Sequence, residues 1–258
     1  MCALAMRPLV LLSNDDGHAS AGIRAMRLAL AAVADVVAVA PETEQSATSH
    51  SLSLHRPLRL RDVEPGMFAL DGTPADCVYV ALHAIPRVLP RRPDLVVSGL
   101  NHGMNLGQDA FYSGTVAAAR EGALRGIPAV AASLHGAIDA ARAAQVTVRI
   151  AQALLEARAN RGTLLNVNFP KGWNGEVRAT RLGERIYEDM VDFRRDPRGR
   201  EYLWIAGPGV RHESNPGTDT DAYDEGAASI TPLLLDLTNT AQDGDARAIA
   251  ARVTSGGA

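Results

Sequence analysis

Two adjacent carboxylates, Asp15 and Asp16, end a short apolar run near the start of the chain. Polar side chains also follow the next two predicted strands, where Ser46 and Asn101 offer neutral oxygen atoms. An all-oxygen ligand set with two carboxylates suits a hard divalent cation, Mg²⁺ or Mn²⁺, better than it suits zinc. These residues therefore predict a cation site in which Asp15 and Asp16 supply the negative charge.

The acidic pair also has a purely structural interpretation, because aspartate often caps the N-terminus of a helix. A helix-like pattern does follow Asp16 within a few residues. A cap uses only one carboxylate, so the second is repelled by the first unless a cation or a hydrogen-bond donor lies nearby. The sequence leaves the helix cap and the cation site open as alternatives.

A second cluster, Tyr112-Ser113-Gly114-Thr115, directly precedes an alanine-rich helix pattern. Free backbone N–H groups, hydroxyl groups and the positive end of the helix dipole together form an anion site. The alternative is an ordinary Ser or Thr cap. Phosphate at this helix and a cation at the strand ends would together define a site for phosphoryl transfer or phosphate hydrolysis.

Strand-like and helix-like patterns alternate through the first two-thirds of the chain, which predicts an α/β fold with a mostly parallel sheet. In such sheets ligands bind beyond the carboxyl ends of the strands, where the acidic pair lies. The segment of about 171–226 is rich in charged and turn residues, and an apolar strand returns after it. We predict one domain, with a core of about 6–170 and 227–250 and an excursion of about 171–226. The predicted core strands are 8–13, 35–41, 94–99, 127–133, 164–169 and 229–238, and the predicted helices include 115–125 and 139–159.

The composition is that of an ordinary globular protein of 258 residues with a net charge of −3. Of its 26 basic residues only Lys171 is a lysine, and a slightly acidic chain without a basic block is a poor candidate for binding polymeric nucleic acid. Two cysteines cannot form a disulfide framework, so a cytoplasmic location is expected. No apolar stretch is long enough to predict a membrane span. The dinucleotide-binding, P-loop and serine-hydrolase motifs G-x-G-x-x-G, G-x-x-x-x-G-K-[ST] and G-x-S-x-G are absent.

Several of these segments together resemble those of a known family. The chain contains, in order, LLSNDDGHASAGI, APETEQSATSHSLSLHRPL, GTPADCV, SGLNHGMNLG, YSGTVAAAREG, NVNFP, GTDTDA and SITPLLLDLT. In this combination they are similar to the stationary-phase survival protein SurE family of metal-dependent 5′-nucleotidases. The resemblance extends from Arg7 to about Thr238.

The resemblance implies a Rossmann-like core and a C-terminal hairpin extension that is exchanged between subunits of a homodimer, sometimes paired into a homotetramer. It implies hydrolysis of nucleoside 5′-monophosphates, often also of 3′-monophosphates and in some members of short polyphosphate. One divalent metal ion per subunit would be bound, with Asp15, Asp16 and Asn101 also in catalytic roles. The implied metal ligands are Asp15, Asp16, Ser46 and Asn101, and the implied phosphate-binding residues are Asn105, Ser113, Gly114 and Thr115.

One departure from the family pattern concerns the segment before Ser46, where Gln45 replaces a frequent arginine. Because Glu42 and Glu44 also make this loop acidic, the departure affects the expected substrate preference more than metal binding.

The hypothesis for the reaction is in-line attack on phosphorus by a metal-activated water, with His50 or His102 as candidate proton donors. Two alternatives stay open. Asp15 could act as a covalent nucleophile, although such enzymes usually carry D-x-D after the first strand. The chain could also be a regulatory protein that binds metal and nucleotide without turnover.

Overall fold

The computed structural model describes residues 6–136, 139–157, 159, 162–187, 191–205, 210–213 and 215–255. Within this part of the chain, strands and helices alternate up to Phe169, and short strands dominate afterwards. The strands are β1 Leu9–Ser13, β2 Asp35–Pro41, β3 Leu60–Glu64, β4 Met67–Leu70, β5 Leu95–His102, β6 Ala129–Leu134, β7 Leu164–Phe169, β8 Val177–Ala179, β9 Arg185–Tyr187, β10 Val191–Arg195, β11 Glu201–Ile205, β12 Val210–His212 and β13 Ala228–Pro232. The helices are α1 Ala21–Ala31, α2 Pro74–His83, α3 Asp109–Tyr112, α4 Gly114–Leu124, α5 Ala140–Glu156, α6 Asp219–Asp224 and α7 Asp243–Ser255, with a 3₁₀ turn at Thr240–Gln242.

Nine strands form one sheet in the order β3-β4-β2-β1-β5-β6-β7-β13-β8. The five central strands are parallel to one another, whereas β3 and β13 run antiparallel to their neighbours β4 and β7. After β1 the chain continues to β2 on one side, whereas after the neighbouring strand β5 it continues to β6 on the other side. This crevice between diverging connections is where open α/β sheets bind ligands.

Helices cover both faces of the sheet. Val10 and Leu12 of β1 pack in the cluster that includes α1 and α5, whereas Leu9 and Leu11 pack in the cluster on the side of α2 and α4. Successive side chains of a strand point to opposite faces, so a strand covered on both sides is apolar throughout. This explains the uninterrupted apolar run that predicted β1, and the α/β fold class expected from the sequence is confirmed.

The predicted core strands and helices are present, with boundaries that shift by up to six residues. The predicted strand 229–238 is the shorter Ala228–Pro232, and β3, β4 and α2 were not predicted from the sequence patterns. The boundaries of the excursion also differ, because β8 pairs with β13 in the main sheet and α6 packs against β13 and β7. Within the described part of the predicted excursion, only β9, β10, β11 and β12 lie in separate small sheets.

Two separate two-stranded sheets occur in the described part of the excursion, β10 with β11 and β12 with β9. Near the C-terminus, α7 is exposed at every residue whose burial is described, so it contributes nothing to the core. No helix among the described residues has the length and apolarity needed to cross a membrane.

Candidate active site

The predicted ligands approach one another because β1 and β5 are neighbours in the sheet. Ser13, the last residue of β1, pairs with Ser98, and β5 continues to Asn101 and His102. Asp15 and Asp16 follow β1 directly, so both carboxylates lie at the same sheet edge as Asn101. The backbone N–H of His102 donates a hydrogen bond of 3.0 Å to Asp16 Oδ2, which joins the two strand ends.

Neither aspartate caps α1. Ser20 does so instead, since its Oγ accepts a hydrogen bond from the N–H of Ile23. Asn14 supports this turn by donating from Nδ2 to the carbonyl oxygen of Gly17 and to Ser20 Oγ, at 3.0 and 2.9 Å. The helix-cap interpretation of the acidic pair is therefore wrong, and both carboxylates are left for other partners.

Asp15 is buried and is held by Thr115 at the start of α4. The N–H of Thr115 donates to Asp15 Oδ2 at 3.0 Å, and the Thr115 hydroxyl donates a short hydrogen bond to Oδ1. Burial raises the pKa of Asp15 to about 6, and repulsion from Asp16 adds to the rise, although the hydrogen bonds from Thr115 oppose it. The site therefore holds a carboxylate whose negative charge is poorly compensated.

Asp16 is half-buried beside Asp15, and its environment is also acidic. Burial raises the pKa of Asp16, and repulsion from Glu44 adds to this rise. Within the described part of the chain, no arginine forms an ion pair with Asp15 or Asp16. A bound cation would supply the missing compensation, which fits the predicted role of these residues.

The two neutral candidates keep an oxygen atom for such a cation. Asn101 donates from Nδ2 to the carbonyl oxygen of Gly103 at 2.9 Å, which leaves its Oδ1 as an acceptor. Ser46 lies in the exposed loop after β2 and donates from Oγ to Glu44 at 2.6 Å. Among the described residues, no three His, Cys, Asp or Glu side chains are grouped closely enough to hold a metal. A metal here would need these neutral oxygens, and hard cations accept such mixed ligand sets.

The predicted phosphate site lies at the N-terminus of α4. Ser113 caps this helix, because its Oγ accepts from the N–H of Val116 at 3.1 Å. Thr115 is committed to Asp15, as described above, so both of its donor groups stabilise a carboxylate. A Cβ on Gly114 would lie 2.9 Å from Asp15 Cβ and 2.9 Å from Pro74 Cγ. The absent side chain of Gly114 thus lets the helix N-terminus approach the acidic pair closely.

Asn105 is buried and its position is fixed by β6 and β7. It donates from Nδ2 to Ser133 Oγ at 2.8 Å, and its N–H donates to Asn168 Oδ1 at 2.8 Å. Its carbonyl oxygen accepts from Asn166 Nδ2 at 2.7 Å and from Asn168 Nδ2 at 3.2 Å. These hydrogen bonds tie the loop that connects β5 to α3, which contains Asn105, to the strands β6 and β7.

Asp219 holds the same loop from the C-terminal part of the chain. Its carboxylate accepts from the N–H of Gly107 at 3.0 Å and from the N–H of Gly183 at 2.7 Å. The predictions from sequence did not assign roles to Asp219, Asn166 or Asn168. The available signal was the pair of asparagines in alternate positions of the otherwise apolar run LLNVNF.

The two histidines proposed as proton donors have different surroundings. His50 Nε2 lies 2.9 Å from the buried Oε2 of Glu121, so one ring nitrogen is engaged. His102 is exposed at the end of β5, directly after Asn101. Of the two, His102 is the histidine adjacent to the acidic pair.

Comparisons with known proteins identify the family and the fold of this chain. The family model described as Survival protein SurE matches residues 10–189. The 5′-nucleotidase SurE of Sorangium cellulosum is 61% identical over 255 residues, which cover 97% of this chain and 99% of that protein. The 5′-nucleotidase SurE of Anaeromyxobacter dehalogenans is 50% identical over 89% of this chain and 91% of its own length. The crystal structure of the SurE protein from Aquifex aeolicus has a TM-score of 0.81 and 38% identity, and it covers 94% of this chain and 100% of that one.

Proposed function

This chain belongs to the SurE family, and from that membership and the site geometry we propose that it hydrolyses nucleoside 5′-monophosphates with the help of one divalent metal ion per subunit. That it is an enzyme of the 5′-nucleotidase class, a phosphoric monoester hydrolase, follows from relatives of that name that match nearly its full length.

The observation that carries the metal requirement is the uncompensated acidic pair. Asp15 and Asp16 lie together at a sheet edge, burial raises the pKa of both, and no arginine of the described chain pairs with either. A phosphate dianion would be repelled from such a site unless a cation were bound there. Asp15, Asp16, Ser46 and Asn101 are the residues that we propose hold it, and Mg²⁺ and Mn²⁺ suit their oxygen atoms.

A divalent ion held by these residues would supply positive charge for the phosphate oxygens and for the attacking water. The chain itself would bind the phosphate at the N-terminus of α4, where we propose that Ser113, Gly114 and Asn105 face it. Thr115 would act by fixing the orientation of Asp15. Asp16, which keeps Oδ1 without a hydrogen bond in the described chain, would orient the water for in-line attack.

The surroundings of Asp15 favour a water nucleophile over a covalent aspartyl-phosphate. Both of its carboxylate oxygens accept hydrogen bonds from Thr115, so attack on phosphorus by Asp15 would break a contact that holds it in place. Conversion of Asp15 to homoserine by borohydride during turnover, with release of phosphate, is the signature of an aspartyl-phosphate and would contradict the water mechanism.

Phosphate release from AMP and GMP in the presence of Mn²⁺ tests the proposed function. We expect release by the unaltered protein, loss of release with EDTA, and a loss of about 10²-fold or more in Asp16→Asn. Asp192→Asn, in the exposed strand β10, is the matched control and should retain activity. Absence of release from every monophosphate would leave a protein that binds metal and nucleotide without turnover.

We also propose a substrate range and a cellular location. A panel with 3′-monophosphates and short polyphosphate would define the substrate range, which Gln45 in the acidic loop is expected to modify. We propose the cytoplasm as the location, because Cys77 is a free and buried thiol.

We also propose that the chain forms a homodimer, or a homotetramer built from such dimers, through its C-terminal extension. In the β10–β11 sheet the register places Val191 opposite Ile205 and Phe193 opposite Leu203. Opposed residues share one face of a ladder, so these four apolar side chains lie together, with the pair Arg195 and Glu201 at the end of the same face. The four side chains are 49–88% exposed. A two-stranded sheet with an uncovered apolar face is marginal in water, and a second copy of the chain would cover it.

A further inference from the structure

A cavity of about 470 Å³ opens beside the acidic pair on the side away from α4. Asp16, Asn101 and His102 line it, together with residues from the starts of α1 and α5. α1 and α5 pack on one face of the sheet, whereas α4 packs on the other. A substrate whose phosphate is bound at α4 would therefore extend past the acidic pair into this cavity.

The floor of the cavity is apolar. Leu100 and Leu134 line it and are 1% and 5% exposed, and Ala21 and Ala140 come from the first turns of α1 and α5. A Cβ on Gly22 would overlap the carbonyl oxygen of Leu100, so the start of α1 lies directly on β5. An apolar floor offers nothing to a cation or to phosphate, but it suits a flat organic group.

The polar groups of the cavity are on the side of the acidic pair. Asp16, Glu44, Asn101 and His102 all lie there. Ser20 also lines the cavity, but its hydroxyl already accepts from Asn14 Nδ2 at 2.9 Å. The cavity thus combines a polar end with an apolar end, and a sugar with many hydroxyl groups would find few partners at the apolar end.

His102 supplies an aromatic surface at the rim. The ring lies so close to the backbone of Gly136 that a Cβ on Gly136 would overlap it. Gly136 and the hydrogen bond from the His102 N–H to Asp16 therefore restrict where the imidazole lies. An exposed ring in a restricted position is suited to stacking on a nucleobase.

We infer that this cavity holds the nucleoside half of the substrate, with the base against the His102 imidazole and the apolar floor. The inference rests on the proposed function and adds a specificity site to it. The cavity volume is within the range of about 300–1,000 Å³ that is typical of sites for small organic ligands.

Comparison of AMP with ribose 5-phosphate tests the inference, because the two differ only in the base. His102→Ala should lower kcat/KM for AMP more than for ribose 5-phosphate, by a factor of about 5 to 150, as expected for loss of one base-stacking contact. Ala140→Leu fills the cavity and should raise KM for AMP more than for ribose 5-phosphate. Ala141→Leu, one residue away and exposed on α5, is the matched control and should change neither.

Adenosine serves as a probe of the cavity without phosphate. It should compete with AMP in the unaltered enzyme and lose this competition in Ala140→Leu but not in Ala141→Leu. Equal losses for AMP and ribose 5-phosphate in both His102→Ala and Ala140→Leu, or adenosine competition that Ala140→Leu leaves intact, would overturn the inference. A lack of phosphate release from all monophosphates would instead contradict the proposed function. In that case, adenosine binding measured by calorimetry in the unaltered protein and in Ala140→Leu would test whether the cavity binds a nucleoside.

Discussion

At the scale of single residues, Thr115 and Asp15 form the contact on which the site most depends. The two residues are 100 positions apart in the chain, and the Thr115 hydroxyl and N–H both donate to the buried Asp15 carboxylate. A carboxylate buried beside a second one is costly, and these two donors offset part of that cost. Thr115 therefore positions Asp15, and its role at the phosphate remains a prediction of the family resemblance.

We predict that Thr115→Val weakens catalysis while the protein stays folded. The substitution keeps the branched shape but removes one donor from a buried acceptor, which costs about 1–3 kcal/mol. This corresponds to a loss of about 5- to 150-fold in kcat/KM for AMP. Thr115→Ser keeps the hydroxyl and is the control, so a variant Thr115→Ser as impaired as Thr115→Val would contradict the role of the hydrogen bond.

Gly114 provides a second prediction at this scale. A Cβ at this position would lie 2.9 Å from both Asp15 Cβ and Pro74 Cγ, which is closer than side chains pack. We expect Gly114→Ala to displace Asp15 and to lower both Mn²⁺ affinity and kcat. The measurements are Mn²⁺ titration by calorimetry and phosphate release.

Gly122→Ala is not a usable control for Gly114→Ala, because a Cβ at Gly122 would overlap Val96 in the core. Gly199→Ala, where a Cβ would meet nothing within 4 Å, is a better comparison for steric crowding, although its φ of +78° adds backbone strain. Unchanged Mn²⁺ affinity in Gly114→Ala would show that the close approach of α4 is dispensable.

At the scale of elements, the loop that carries Ser46 is tied to its surroundings by several hydrogen bonds. The N–H of Gln45 donates to the carbonyl oxygen of Asp15 at 2.8 Å, and Ser49 Oγ donates to the carbonyl oxygen of Phe111 at 2.7 Å. His50 contacts Glu121, a buried residue of α4. These contacts hold Ser46 near the acidic pair, although the loop itself is largely exposed.

Among the residues that make these contacts, Glu121 is buried. Burial has the largest single effect on the pKa of Glu121 and raises it. The hydrogen bonds from His50 and Arg125 and the charges of these residues together outweigh burial and leave the pKa below its ordinary value of 4.5. A carboxyl whose pKa is lower in the folded state stabilises that state when it is ionised. The stabilisation is thus complete above pH 4.5 and is lost as the pH falls through the lower native value.

We predict that Glu121→Gln lowers the stability near neutral pH by about 1.5–3 kcal/mol, the range for hydrogen bonds to a charged group. The difference in Tm between the variant and the unaltered protein should shrink as the pH is lowered below 4.5. Glu176→Gln is the control, because Glu176 pairs with Arg178 at an exposed position, and exposed pairs contribute little. A difference in Tm that is the same at pH 7 and pH 3.5 would show that charge is not the cause.

The elements around the site show which features local sequence can predict. The buried run of β1 and the acidic pair after it are adjacent in sequence, so the sheet edge and its carboxylates could be predicted. The residue that caps α1 could not be chosen from the sequence, because Gly17, with a φ of +92°, turns the chain before Ser20 caps the helix. An Asp and a Ser within six residues are both good caps, and only the turn decides between them.

Long-range partners were beyond prediction for a different reason. The roles of Asn166 and Asn168 depend on β7 lying beside β6, whose Ser133 is opposite Asn168. The role of Asp219 depends on two glycine N–H groups, at Gly107 and Gly183, that are far from it in the sequence. Such contacts follow from the register of the sheet, which periodicity alone does not determine.

At the scale of the whole molecule, the site and the surface differ in whether their carboxylates are paired with arginines. The chain has 26 basic and 29 acidic residues, and many of its arginines pair with carboxylates at the surface, as in Arg87–Asp62 and Arg178–Glu225. The acidic pair of the site has no such partner in the described chain. An anionic substrate should therefore bind well only when the metal is present, and AMP binding measured by calorimetry should require Mn²⁺.

The apolar face of the β10–β11 sheet leads to the last prediction. Val191, Phe193, Leu203 and Ile205 share this face, and the opposite face carries Asp192 and Arg194 beside Tyr202 and Trp204. We expect the unaltered chain to have the mass of a dimer or tetramer in light scattering. Phe193→Asp combined with Leu203→Asp places two charges on the apolar face and should give single chains, because burying them unpaired would cost several kcal/mol. Arg194→Ala on the opposite face is the control and should leave the mass unchanged. Single chains already in the unaltered protein at micromolar concentration would show that no second copy covers this face.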